Sequence, residues 1–169
     1  MTPPENFKYC QHLDVDVLLP SNKQFEFWIL RRKGFANIDI AKINSISRQA
    51  VSRALLRMDE KISKTLLEMA KASQIEVESL NPKYGILFGY SIPLKVNAII
   101  FVSEKHGIQV WYEHEGDCNS CERYRQCMEL LWDFADEMNI KLEKVANPTK
   151  LADELFEKLR RLYHAGGGN

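Results

Sequence analysis

The chain has no long hydrophobic run: none of its apolar stretches approaches the roughly 20 residues needed to cross a bilayer. Its start, Met1 to Asn6, has neither the cationic nor the apolar segment of a secretory leader. A soluble, cytoplasmic protein with no membrane partner is therefore expected. Net charge is also missing, since 23 Lys and Arg balance 23 Asp and Glu, so bulk charge points to no class of partner. No glycine-rich phosphate loop, Gly-x-Ser-x-Gly elbow or His-Glu-x-x-His pair is present. Asp133, Asp136 and Glu137 read as a solvated helix face rather than paired catalytic carboxylates, and no enzyme is expected. Cysteine is scarce but uneven: of four, Cys118, Cys121 and Cys127 fall close together and Cys10 stands far away. With 169 residues and 45% hydrophobic content, one or two domains with a buried core are expected.

What is present begins with residues 37 to 58, which read as a helix-turn-helix. Ala41 is small enough for two helices to cross closely. Ile40 and Ile46 flank the turn, and Val51, Ala54 and Leu55 face inward from the second helix. The polar set Ser47, Arg48, Gln49, Ser52 and Arg53 falls on the outward face, near the N-terminal end of that helix, where a recognition helix meets base edges and phosphates. Arg48 matches a guanine edge in bidentate fashion and Gln49 an adenine edge. Ser47 caps the helix and leaves amide groups facing a phosphate.

On these residues, 19 to 62 resembles the helix-turn-helix of sigma region 4, of LuxR-type regulators and of archaeal Tfx-type regulators. The matching elements are Leu19-Pro20-Ser21, a helix carrying Gln24, Glu26, Ile29 and Leu30, the stop Arg32-Lys33-Gly34, then Asp39-Ile40-Ala41 and 46 to 52. Gly34 is expected in the left-handed conformation that ends a helix, with Arg31, Arg32 and Lys33 at the negative pole. The turn departs from the apolar-glycine-apolar pattern, carrying Asn44-Ser45-Ile46, and Asn44 is expected to take the left-handed backbone. The resemblance implies a sequence-specific regulator that binds double-stranded DNA.

Charge distribution agrees with that implication. Residues 21 to 73 hold eleven cations against five anions, a local balance of +6, so the remainder is acidic. Arg53, Arg57 and Lys64 recur at helical intervals and suit one strand of phosphates. A solvated helix face would look similar.

Beyond Val51 the apolar positions Leu55, Met58, Ile62, Leu66 and Met69 continue without a breaker, which predicts one helix of about 25 residues and about 38 Å. It suits connection to a second domain and pairing with its twin, so a homodimer reading two half-sites is expected. Strands are predicted at 13–17, 85–92 (with Gly89 at a bulge), 97–103 and 107–113, the last two forming a hairpin with His106 exposed at its tip. Helices follow at 121–139 and 148–163. The expected fold is α+β: an arm at 1–20, an all-α helix-turn-helix domain at 21–74, a small antiparallel-sheet-plus-helices sensor or oligomerisation domain at 75–164, and a frayed tail at 165–169.

At the joint between hairpin and helix stand His114, Cys118 and Cys121, with Cys127 on the following helix. Cys118 and Cys121 have the knuckle spacing in which two thiolates reach one ion, and Cys127 and His114 complete a Cys₃His set suited to structural zinc. The same cysteine spacing resembles that of endonuclease III, WhiB proteins and oxygen-sensing regulators of the fumarate–nitrate type, which implies an iron–sulfur cluster with Cys10 as fourth ligand. Reduced thiols in a core are the plain alternative. The functional expectation is thus a DNA-binding transcriptional regulator with a C-terminal zinc or iron–sulfur site. Its rivals are an iron–sulfur nucleic-acid repair enzyme and a protein-interaction module that binds no DNA.

Overall fold

A computed structural model describes residues 23–115, 118–143 and 147–164. The strand expected at 13–17 and Cys10 lie outside them. The elements are α1 (Lys23–Arg32), α2 (Asn37–Asn44), α3 (Arg48–Ala72), β1 (Ile75–Asn81), β2 (Ile86–Ser91), β3 (Val96–Ser103), β4 (Gly107–Tyr112), α4 (Tyr124–Glu137) and α5 (Pro148–Tyr163). The strands form one antiparallel sheet in the order β1-β2-β3-β4. Strand alternation divides its residues between two helical layers. Leu87, Ile100 and Val110 share a core with α1, α2 and α3, whereas Phe88, Ile99 and Trp111 share one with α4 and α5.

This arrangement corrects the expectation of an all-helical domain followed by a separate sheet-plus-helices domain. The order is helices, sheet, helices, and the first helices are one face of the sheet's own packing. The physical reason lies in α1 and the second half of α3. Ile62, Leu66 and Ala70 are fully or almost fully buried against the sheet-side cluster instead of leaving α3 as a free connector. Trp28 is fully buried, its indole N–H donates to the Pro82 carbonyl at 3.1 Å, and its ring leaves no room for a Cβ at Gly85. Gly85 sits at φ +69°, which suits glycine.

Helix ends follow local chemistry. Gly34 is left-handed at φ +100°, and the Phe35 and Gly34 amides return to the carbonyls of Leu30 and Arg31, a Schellman closure. In the next turn Ser45, not Asn44, takes the left-handed backbone (φ 54°, ψ 43°). Asn44 instead continues α2, its side-chain amide donating to the Ile40 carbonyl at 2.8 Å. Asn147 caps α5 through the Thr149 amide, with Pro148 in the first turn.

Strand β1 falls where the sequence reading placed only a domain boundary. Its bulge lies between Val77 and Ser79 rather than at Gly89. Gly89 serves the close approach opposite, where a Cβ would stand 2.4 Å from the Glu76 carbonyl oxygen.

Two expected surface features are structural contacts. Glu137 is no solvated carboxylate: it pairs with buried Arg32 at 3.1 Å and accepts from the Ser103 hydroxyl and the Glu104 amide, both at 2.8 Å. Arg32 also donates to the Val102 carbonyl at 2.6 Å and lies 4.7 Å from the Trp28 ring centre. Burial lowers the Arg32 pKa from its usual value, with Glu137 opposing that shift. His106 is likewise not a free hairpin tip, since its Nε2 lies 2.7 Å from Asp133 Oδ2, which Lys105 meets at 2.8 Å.

The hydrogen bond from Lys105 holds the Asp133 carboxyl below its ordinary value of 3.8; partial burial opposes this and His106 adds to it. A depressed carboxylate gives stability that is present above the unfolded value and lost as pH falls through the folded one. Below pH 4, then, wild-type stability should fall more steeply than that of Asp133→Asn, as read by urea midpoints across pH 2–6. Parallel curves for the two proteins would remove Asp133 from the acid transition.

Candidate nucleic-acid interface

The site is built by the short connection from α2 to α3. The Ile46 amide returns to Ala41 and the Ser45 amide to Lys42, which closes α2 within one residue and reverses the chain. Ser47 then adopts an extended backbone and accepts from the Ala50 amide at 3.1 Å, so α3 begins with Arg48 at its first position. Ile40, Ala41, Val51 and Leu55 are buried beneath this junction. Ile46 is not among them: at 40% exposure it lies on the surface beside the turn it flanks.

Arg48, Gln49, Ser52 and Arg53 are exposed and line one open depression at the start of α3. Arg57 is exposed one turn beyond Arg53. The Ser52 hydroxyl has a second task, since it accepts from the Asn37 side-chain amide at 3.2 Å and ties the two helices together.

Several other cations of the same segment are engaged in ion pairs. Arg31 grips Asp59 through both terminal nitrogens, at 3.0 and 2.5 Å. Arg32 is buried with Glu137, Lys33 meets Glu104 at 2.9 Å, and Lys64 lies 3.9 Å from Glu68. Among the described residues no ion pair involves Arg48, Arg53 or Arg57. The local charge excess read from sequence therefore divides between paired cations, chiefly Arg31 and Arg32 of α1, and cations with no ion pair among the described residues, namely Arg48, Arg53 and Arg57 with Lys42, Lys61 and Lys71.

The expected metal ligands are not assembled. His114 follows β4, its Nδ1 2.7 Å from the Tyr112 carbonyl oxygen and its ring 5.7 Å from that of Trp111. Cys118 and Cys121 belong to a short 3₁₀ turn and its exit, joined by the Cys121 amide to the Cys118 carbonyl. Cys127 is buried in the apolar core shared by α4, α5 and the sheet. Among the described residues no group of three or more His, Cys, Asp or Glu side chains is placed to hold a metal ion. The donor set does not fit a zinc or iron–sulfur centre as it stands, and Cys10 lies outside the described residues.

Sequence reasoning missed the Arg32–Glu137 and His106–Asp133 contacts, because each joins positions far apart in the chain with no local periodicity to mark them. Among the described residues no helix is long and apolar enough to cross a membrane. Comparison with protein-family models, with curated proteins and with solved structures finds no match.

Proposed function

We propose that the chain is a cytoplasmic, sequence-specific regulator of transcription that binds double-stranded DNA through the N-terminal turns of α3. The observation that carries this reading is the convergence of Arg48, Gln49, Ser52 and Arg53 on one exposed surface at a capped helix start, with the arginines free of ion pairs among the described residues. Donors of this kind on the first turns of a helix match the base edges of the major groove, while Arg57 is placed for backbone phosphate. The regulator acts as a homodimer. Leu56 and Leu67, exposed at 65% and 42% and three turns apart on one side of α3, supply the apolar contact.

The test is binding to a selected DNA site across a salt series. Arg48→Ala should cost about 1–3 kcal/mol at the preferred site and relax base preference at one position. Arg57→Ala should weaken all sequences alike and reduce the salt slope by about one unit. Salt-independent binding, or equal sequence-blind losses from both variants, would defeat the assignment of Arg48 as a base reader.

A further inference from the structure

On the opposite face of the sheet, away from α1 to α3, a cavity of about 300 Å³ opens between β3, β4 and α5. Its walls include the aromatic rings of Trp111 and Phe156, whose centroids are 6.0 Å apart and tilted by 47°. Both residues are buried in the core of that face, so the walls are set by packing. At the mouth stand the carboxylates of Glu113 and Asp153.

The charges around the cavity are unequally committed. Arg160, the lining cation, has its charge drawn away: its Nη1 meets Glu78 at 3.1 Å and its guanidinium lies 4.7 Å from the Phe88 ring centre. Glu157 is paired with Arg161 on the neighbouring helical turn. Glu113 accepts the Asn97 amide at 2.8 Å but has no cation partner, and Asp153 has neither ion pair nor hydrogen bond, in each case among the described residues. Partial burial, then the carboxylates of Glu113 and Glu115, hold the Asp153 carboxyl above its ordinary value, with His114 opposing. The cavity is therefore an aromatic-walled recess whose carboxylates Glu113 and Asp153 have no ion-pair partner among the described residues.

We propose that this cavity binds an organic cation: an ammonium or guanidinium group on an apolar stem, its charge between Glu113 and Asp153 and its stem against Trp111 and Phe156. Aromatic faces attract such cations and shelter their methylene groups, and a few placed polar groups in an apolar pocket are the usual form of a small-molecule site. An anion would meet the carboxylates of Glu113 and Asp153. A neutral apolar guest would strip water from them and offer no charge in return. A bare metal ion would find aromatic carbon where it needs further oxygen or nitrogen donors. The site is independent of the DNA-reading assignment, because it lies on the other layer of the sheet and its test contains no DNA.

The experiment is calorimetric titration of the full chain with cadaverine and with agmatine, using 1,5-pentanediol as the uncharged counterpart of cadaverine. Saturable one-to-one binding of at least one cation, with no binding of the diol, is the expected result. Glu113→Gln and Asp153→Asn, both on exposed residues, should each weaken that binding about tenfold, as loss of one charged partner implies. Wild-type titration followed by the Trp111 indole resonance should report the same affinity, which keeps the result independent of how the variants fold. Absence of saturable binding for both cations would overturn the proposal. So would equal binding of the diol, or affinity unchanged in the double variant.

Discussion

Glu137→Ala is expected to lower unfolding free energy by about 3–5 kcal/mol, the range for removing one partner of a buried ion pair. The Arg32 side chain is 1% exposed and Glu137 10%, so little water would reach the abandoned guanidinium. The Val102 carbonyl and the Trp28 face would still hold it, but neither neutralises its charge. The Ser103 hydroxyl loses its acceptor as well, while the amides of Glu104 and Lys105 lie in an exposed turn and recover by hydration. Replacing both ends, as Arg32→Met with Glu137→Leu, should return most of the loss because no charge remains buried. Urea denaturation checks both variants. A loss under about 1 kcal/mol in the single variant would show that the pair is hydrated in solution, against its burial here.

Trp28→Ala is the second large effect, about 3–5 kcal/mol for deletion of a fully buried indole. Its consequence for cooperativity matters more than its size. Trp28 belongs by sequence to the first helix of the segment proposed to read DNA, yet it packs on Gly85 and bonds to Pro82, both beyond α3. One shared core predicts that the variant melts in a single transition, with helical circular dichroism and the fluorescence of the two remaining tryptophans, Trp111 on the sheet and Trp132 on α4, moving together. Loss of helical signal at low temperature while Trp111 and Trp132 keep their native fluorescence would instead mean two separately folding units.

The contrast between legible and illegible parts of this chain has a physical basis. Periodicity is local, so the 25 residues of α3, the strands β2 to β4 and the bounds of α5 at Pro148 and Tyr163 stand close to where apolar spacing and capping residues place them. The Ser47 cap was equally readable, because a cap is a bond between residues three apart. Strand β1 was not: Glu76, Val77 and Glu78 are all exposed along an edge, and the bulge breaks the alternation that would have marked it. The layer architecture was hidden for a different reason. Sequence spacing shows that Ile62, Leu66 and Met69 face one way but not what they face, and a sheet formed later in the chain meets them there. The site divides along the same line. The α3 surface was visible because it is one helix face, whereas the aromatic cavity unites Asn97, Trp111 and Asp153 from three elements. The cysteine spacing is local too, but ligation depends on how distant side chains converge, and among the described residues no group of three or more potential ligands is assembled.

Because α3 is a single unbroken helix from Arg48 to Ala72, the end proposed to read DNA is joined rigidly to the end packed on the sheet. At 1.5 Å per residue the rod is about 37 Å long, so a tilt of about 5° about the sheet end carries the Arg48 end through about 3 Å. That is close to the separation of successive base pairs, about 3.4 Å. If the proposed DNA binding holds, repacking by a fraction of an ångström beneath Leu66 and Ala70 would be magnified into a shift of register on a duplex, a mechanical gear ratio between the sheet and the far tip of α3.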